Sequence, residues 1–396
     1  MAEPFAAVRD AEFPWMNSAA PYFNAASFTP LPLRSRRAVD AFNATKYEAH
    51  RISESAFGTV LAGAREALAR LIGAGADDVA LTTNTSTGLN LAAGFAALAG
   101  GAPIDGDRRR RRILVSEGEF PANVYPWLGL ERMGFTVELV STDELGRPRE
   151  ERLLERLEQA SDVAIFALSH VQFGTGYRAD LSRFGRVCRD LGILFVVDAI
   201  QGLGAVPLDV IESQVDVLAC GGHKWLCGPW GTGFVYVRRE LCTRLEPLNP
   251  GWLSFVPSQD FANLLDYRFE LVEDARRFEV GVLPFQDFAG LAASAELLEE
   301  LGGEWVWRHI RGVQEPLITW AREREDVEIV SDLREERRSG VICIRPTRVD
   351  DAWAALRRAG VACAVRGGAI RLAPHFYNTV GEMERVVDVL DEALRT

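Results

Sequence analysis

Residues 218–236, L-A-C-G-G-H-K-W-L-C-G-P-W-G-T-G-F-V-Y, carry the clearest chemical signal in this chain. An apolar run ends at two glycines, His223 and Lys224 follow, and a second apolar run begins at Phe234 after a glycine-rich turn. This order predicts a strand, a tight loop that carries a lysine, and a returning strand. Burial among leucine and tryptophan favours the neutral amine of Lys224, which can form a Schiff base with an aldehyde. A surface lysine in a glycine loop is the alternative interpretation.

A second signal comes from Asp198, which ends the apolar run I-L-F-V-V-D twenty-six residues before Lys224. A buried carboxylate is costly unless a cationic group pairs with it. Pyridoxal phosphate requires this combination, with a carboxylate at its ring nitrogen and a lysine at its aldehyde. Lys224 and Asp198 are therefore the predicted catalytic residues, and pyridoxal 5'-phosphate is the predicted cofactor.

At these residues, and from about Tyr22 to the C-terminus, the chain resembles the class V aminotransferases, a family of fold-type I pyridoxal-phosphate enzymes. Cysteine desulfurases, isopenicillin N epimerase-like proteins and kynureninases belong to the same group. The resemblance implies an α/β fold whose large domain has a mainly parallel seven-stranded sheet, followed by a smaller α+β C-terminal domain. The expected division is an N-terminal arm (1–33), a large domain (34–285) and a small domain (286–396), to which N-terminal residues could contribute.

Strand-like and helix-like segments alternate between residues 113 and 198, and this alternation by itself predicts a largely parallel sheet. The expected strands are 113–116, 135–140, 163–168 and 193–197. Helices are expected near 150–159 and 180–191, and one long helix is expected over about 34–72 from its apolar spacing.

Composition agrees with a large enzyme and excludes several other classes. The chain has 396 residues, 48% of them hydrophobic, and a formal net charge of −12, which argues against nucleic acid or an anionic membrane as the main partner. The six cysteines are scattered and read as reduced thiols, and no metal site is predicted. No apolar run approaches the roughly 20 residues of a membrane span. The N-terminus also lacks signal-peptide features, so the cytoplasm is the expected location.

Thr85 and Ser86 are the predicted phosphate ligands, because they precede a helix in T-N-T-S-T-G-L-N-L. A helix N-terminus binds phosphate through its free amide groups, although ordinary N-capping is the alternative. The resemblance favours phosphate here and implies a second contact from His223. It also implies that the loop around Gly281 reaches the phosphate of a neighbouring subunit in a homodimer with the active site at the interface. Val282 replaces the family's threonine there, so only backbone near Gly281 remains for that contact.

Three residues are expected beside the cofactor ring. The resemblance places Phe120, in E-G-E-F-P-A-N, against the ring face, where aromatic stacking is favourable. Cysteine desulfurases carry histidine at this place, and phenylalanine cannot exchange protons. Gln201 matches a glutamine that hydrogen-bonds the phenolic oxygen of the cofactor, and Gln172 is a further expected contact near the ring.

The substrate side is predicted from Arg371, which lies between apolar residues where an unpaired guanidinium is costly. Its planar guanidinium suits a carboxylate. This carboxylate could belong to the substrate or to a structural ion pair within the protein, and the resemblance favours the substrate α-carboxylate. Arg366, Asn24 and Ala25 are the other expected substrate contacts. In desulfurases a longer loop with a nucleophilic cysteine precedes the Arg371 strand, whereas two glycines join the strands here.

These residues predict a pyridoxal-phosphate enzyme that acts at the Cα of a small amino acid. Transamination, β- or C–S elimination and epimerisation all use the same groups. We favour an aminotransferase-type or lyase activity, with an epimerase of the isopenicillin N epimerase type next. A cysteine desulfurase is disfavoured by Phe120 and the short loop. A catalytically silent relative is the alternative from another class.

Overall fold

The larger of two sheets forms the centre of the protein, whose computed structural model describes residues 4–19, 21–99 and 110–395. Its strands are β1 (Val79–Thr82), β2 (Arg112–Ser116), β3 (Thr136–Val140), β4 (Val163–Ser169), β5 (Leu194–Asp198), β6 (Val217–Gly221) and β7 (Gly233–Val237). The strand order is β1-β7-β6-β5-β4-β2-β3. Only β7 runs antiparallel to its neighbours. The predicted α/β fold with a mainly parallel seven-stranded sheet is confirmed.

A second sheet is antiparallel and lies in the C-terminal part of the chain. Its strands are β8 (Val327–Ile329), β9 (Ile342–Pro346), β10 (Ala364–Arg366) and β11 (Ala369–Leu372), in the order β10-β11-β9-β8. The N-terminal segment runs beside this sheet through bridges of Tyr22 with Ala362 and of Asn24 with Ala373. N-terminal residues therefore contribute to the smaller sheet, while the domain limits at 33 and 285 stay predictions.

Helices pack against strands of both the large and the small sheet. They are α1 (Pro4–Glu12), α2 (Leu33–Tyr47), α3 (Glu54–Leu71), α4 (Thr85–Ala99), α5 (Tyr125–Gly129), α6 (Glu150–Gln159), α7 (Leu181–Leu191), α8 (Arg239–Cys242), α9 (Phe285–Leu301), α10 (Gly303–Arg322), α11 (Val349–Arg358) and α12 (Val380–Arg395). None of these helices is long and apolar enough to cross a lipid bilayer.

The single helix expected over about 34–72 is wrong, because the chain forms α2 and α3 with a break between Tyr47 and Glu54. Both helices pack against α9. Ser53 adopts an extended conformation (φ −88°, ψ 149°) directly before α3. The break lets the chain fold back, so that both helices pack against the same partner helix, α9, although Ser35 is the one fully buried residue of α2.

The parallel strands bring their carboxyl ends to one edge of the large sheet, where ligands bind in α/β folds. Strand β5 ends at Asp198 and β6 ends at Gly221, directly before the lysine loop. Helix α4 starts at the same edge and approaches the sheet closely at Gly88. A Cβ at this position would lie 2.5 Å from Val235 Cγ2, so glycine is required for the close packing.

Candidate active site

A cavity of about 380 Å³ lies at this edge of the sheet, between the lysine loop, the start of α4 and strand β11. It collects most of the residues that the sequence predicts for the site. The predicted residues that line it are Thr85, Ser86, Phe120, Asp198, Gln201, His223, Lys224, Arg366 and Arg371. A wider cleft of about 610 Å³ between α7 and α10 contains none of them.

Lys224 is held in place through its backbone. Thr29 Oγ1 and the Cys227 amide donate hydrogen bonds to the Lys224 carbonyl oxygen, at 2.6 Å and 2.8 Å. Its Nζ lies 5.6 Å from the centroid of the Phe120 ring. Burial lowers the pKa of the Lys224 amine to about 8, although the Asp198 carboxylate opposes this change. A useful fraction of the amine is therefore unprotonated near neutral pH.

Asp198 is the acidic group of the cavity, and its side chain is almost fully buried. Its Oδ1 accepts a hydrogen bond from the Ile200 amide at 3.0 Å. Burial raises the pKa of Asp198 to about 6, so the carboxyl is still mainly ionised at neutral pH. In the described ranges none of the ion pairs includes Asp198. A buried carboxylate of this kind suits a protonated ring nitrogen in the cavity.

The other end of the cavity can receive a phosphate group. Helix α4 begins at Thr85, whose buried Oγ1 has no hydrogen-bond partner among the described residues. A Cβ at Gly221 would lie 3.2 Å from Thr85 Oγ1 and 3.3 Å from His223 Cε1, so this glycine keeps the space between them open. An unpaired hydroxyl beside a helix N-terminus fits a phosphate. The residues present therefore fit pyridoxal 5'-phosphate, and the expected places of Lys224 at its aldehyde and of Asp198 at its ring nitrogen stay predictions.

The two predicted glutamine contacts differ in their surroundings. Gln201 lines the cavity, but its Nε2 donates to the Ala26 carbonyl and its Oε1 accepts from Trp225 Nε1, both at 2.9 Å. One amide hydrogen is then left for a cofactor oxygen. Gln172 is not among the lining residues; it is buried behind the cavity wall and donates to Glu119 at 3.3 Å. The expected contact of Gln172 with the ring stays a prediction.

Arg371 points into the cavity from β11 as a buried cation. Its Nη1 donates to the Phe173 carbonyl at 2.9 Å and its Nη2 donates to Ser27 Oγ at 3.0 Å, while Nε has no partner among the described residues. No ion pair of the described chain includes Arg371, so the structural ion pair is not present. Burial lowers the pKa of Arg371 to about 10. Arg366, by contrast, is exposed and donates to the Val365 carbonyl.

Besides Gln172, three predicted residues lie outside the cavity lining. Asn24 and Ala25 belong to the N-terminal segment and pair with Ala373, and the buried Asn24 Oδ1 has no partner in the part of the chain described. They directly precede the lining residues Ala26 and Ser27. Gly281 is half-buried beside Trp252, and its expected contact with a neighbouring subunit stays a prediction.

Several lining residues were not predicted from the sequence. They are Ala26, Ser27, Asn84, Ala122, Phe173 and Ile200. Each lies within three residues of a predicted site residue in the chain, and Ala26 also belongs to the N-terminal segment whose likeness to the family suggested Asn24 and Ala25. Among the described residues no group of three or more histidine, cysteine, aspartate or glutamate side chains could hold a metal ion.

The fold and the cavity together define a pyridoxal-phosphate-dependent enzyme of the α/β class. The family model described as Aminotransferase class-V matches residues 22–386, so the chain belongs to that family and its cofactor is pyridoxal 5'-phosphate.

Relatives of this chain have several functional names. The uncharacterized aminotransferase YcbU of Bacillus subtilis is 29% identical over 82% of this chain and 81% of its own length. A probable cysteine desulfurase of Methanothermobacter thermautotrophicus is 28% identical over 94% of both chains. The apo structure of a cysteine desulfurase from Thermococcus onnurineus NA1 matches with a TM-score of 0.85 at 23% identity, covering 100% of this chain and 99% of that one. The prediction that disfavours a cysteine desulfurase has no support from these relatives.

Proposed function

We propose that this protein acts at the Cα of a small amino acid and catalyses C–S or β-elimination, with aminotransferase-type chemistry on the same groups. The observation that carries the proposal is the convergence of Lys224, Asp198 and Arg371 on one cavity. Relatives named cysteine desulfurase support C–S cleavage as the first choice. Desulfuration is itself C–S lyase chemistry and stays within this proposal.

Each of the three groups has a separate task. Bound pyridoxal phosphate supplies an electron sink for the pair left when a bond at the substrate Cα breaks. Arg371 binds the substrate α-carboxylate with its two-point fork. The Lys224 amine would accept and return the Cα proton as general base and acid, because its lowered pKa lies close to neutral pH. Asp198 would hold a positive charge at the ring nitrogen.

Epimerisation is the second candidate. It requires that protons reach either face of the substrate Cα. The Phe120 ring lies 5.6 Å from Lys224 Nζ and cannot exchange protons. Lys224 then serves one face, and a second base has to come from His223 or from solvent. This arrangement supports elimination or transamination ahead of epimerisation.

The experiment that separates these reactions uses the holoenzyme in heavy water with a panel of L- and D-amino acids. Elimination releases a keto acid together with ammonia and, for cysteine-like substrates, sulfide. Transamination gives a keto acid and leaves the amino group on the cofactor. Epimerisation gives deuterium at Cα with inversion. Lys224→Ala is the control for all three, and a wild-type protein that changes none of the amino acids would support the catalytically silent alternative.

We also propose a homodimer with the active site close to the subunit interface. Large apolar side chains are exposed, including Trp230 (68%) in the lysine loop, Val282 (73%) next to Gly281 in the chain, and Phe269 (75%). Exposed apolar surface of this kind marks association sites. Light scattering of the purified protein tests the proposal: a dimer mass is expected, and a monomer at micromolar concentration would contradict it. A cytoplasmic location stays a prediction from the sequence.

A further inference from the structure

Glu119 is a buried acid that the proposed chemistry does not use. Its side chain is 6% exposed, and its carboxyl group accepts four hydrogen bonds. The donors are the Ser169 amide (2.8 Å), Ser169 Oγ, Asn123 Nδ2 (3.1 Å) and Gln172 Nε2 (3.3 Å). None of the ion pairs in the described ranges includes Glu119. A buried carboxyl group held only by neutral donors is costly, which indicates that its position serves another purpose.

The position of Glu119 connects it to the catalytic edge of the sheet. Ser169 ends β4 and lies directly beside Asp198 on β5 in the strand register. Burial raises the pKa of Glu119 to about 7, and the nearby Asp198 carboxylate adds to this effect. Asp198 is the charged group that faces Glu119 from the packed elements; the other neighbours are the neutral side chains of Ser169, Asn123 and Gln172.

The residue after Glu119 in the chain is Phe120, whose ring forms part of the cavity wall. This ring is 45% exposed and makes an edge contact with Phe173 at 5.3 Å between centroids. Side-chain packing alone therefore holds Phe120 weakly. The Glu119 hydrogen bonds tie the residue before Phe120 to Ser169 and to the side chain of Gln172, which directly precedes Phe173 on the other side of the ring.

We propose that Glu119 is a positioning residue, whose hydrogen bonds to the end of β4 hold the Phe120 ring in the place where it stacks on the bound cofactor. The inference rests on the proposed function, since it assigns the Phe120 ring a role toward pyridoxal phosphate. Glu119 itself touches neither cofactor nor substrate. Its effect reaches the cofactor through the adjacent ring.

The test measures the affinity for pyridoxal phosphate and the visible circular dichroism of the bound cofactor, neither of which depends on turnover. Glu119→Ala removes every acceptor, whereas Glu119→Gln keeps an oxygen for the Ser169 amide. Ser169→Ala removes one donor from the opposite side and replaces Glu119→Ala if that variant does not fold. Glu150→Gln is the matched control, because Glu150 is an equally buried glutamate (6% exposed) that binds Arg337 and the Asp180 amide outside the cavity.

We expect Glu119→Ala to weaken cofactor affinity about three- to tenfold, the size of a lost aromatic stacking contact, and to reduce the dichroic band. Glu119→Gln should stay within about twofold of wild type, and Glu150→Gln should lower thermal stability without changing either readout. In a Phe120→Ala background, Glu119→Ala should change the affinity by less than about twofold.

Three results would overturn the inference. The first is a Glu119→Ala variant with the cofactor affinity and the circular dichroism of the wild type. The second is a Glu119→Gln variant that loses as much cofactor affinity as Glu119→Ala. The third is a loss of affinity on Glu119→Ala that is as large in the Phe120→Ala background as in the wild type. A wild-type protein that binds the cofactor but converts no amino acid contradicts the proposed function instead and leaves this comparison intact.

Discussion

Replacing Arg371 by glutamine removes a buried cation that has no carboxylate partner in the described part of the chain. The substitution leaves the Phe173 carbonyl and Ser27 Oγ without their charged donor. Arg366→Gln is the matched control: Arg366 lines the same cavity but is exposed and donates to the carbonyl of its own neighbour, Val365. Both substitutions remove one positive charge from the cavity, so the difference between their effects on KM reports the two-point contact of Arg371 with the substrate carboxylate.

The size of the effect follows from the contacts that a substrate carboxylate would make with Arg371. Each hydrogen bond between charged groups contributes about 1.5 to 3 kcal/mol, so loss of a two-point contact costs about 3 to 6 kcal/mol. That corresponds to a rise in KM of about 10²- to 10⁴-fold. The same loss at Arg366 should raise KM less than about fivefold, because an exposed pair contributes about 1 kcal/mol or less.

The assay compares KM and kcat for an L-amino acid substrate and for its carboxamide, which has no negative charge at that end. The wild type and Arg366→Gln should prefer the acid by a large factor, and Arg371→Gln should lose the preference by handling both substrates equally poorly. An Arg371→Gln enzyme whose KM rises no more than that of Arg366→Gln, or that still prefers the acid, would refute the assigned role.

Three further outcomes are expected. The rate at which pyridoxal phosphate attaches to the apoprotein, measured by stopped-flow absorbance, should rise as pH increases through about 8, the lowered pKa of Lys224. A rate that still increases above pH 10 would contradict the effect of burial on this pKa. Gly88→Ala should lower the free energy of unfolding by about 1 to 3 kcal/mol, because the new Cβ would lie 2.5 Å from Val235 Cγ2. Gly63→Ala is the control: nothing lies within 4 Å of its Cβ position, so this substitution should raise the free energy of unfolding by about 1 kcal/mol. Equal urea midpoints for the two variants would contradict the close packing at Gly88. Val282→Thr should tighten cofactor binding about two- to tenfold through a new hydroxyl donor across the proposed interface, and an unchanged dissociation constant would argue against that contact.

The positions of Asp198 and Lys224 were predictable because the apolar pattern of a strand shows where that strand ends. Asp198 ends an apolar strand and Lys224 follows the next one, so the parallel sheet brings both to one edge. Arg371 was predictable because a guanidinium between apolar residues needs an anion. Strand periodicity and the cost of buried charge single out these three residues, whereas the assignment of Arg371 to the substrate α-carboxylate came from the family resemblance.

Other features depend on tertiary contacts that local sequence does not encode. Phe173 contributes a backbone carbonyl to Arg371, and any residue type could supply that group. Glu119 became informative only when the structure placed its carboxyl group against Ser169 at the end of β4. The break between α2 and α3 contains neither proline nor glycine, and it is explained by packing of both helices on α9.

The most direct measurement identifies the lysine that is covalently joined to the cofactor. The sequence contains two lysines, Lys224 in the cavity and the exposed Lys46 near the end of α2, so the second is an internal control. Holoprotein reduced with borohydride is digested and analysed by mass spectrometry. The account predicts the phosphopyridoxyl group on Lys224 alone and no labelled peptide from Lys224→Ala. A group on Lys46, or an unmodified Lys224 in protein that has bound the cofactor, would contradict it.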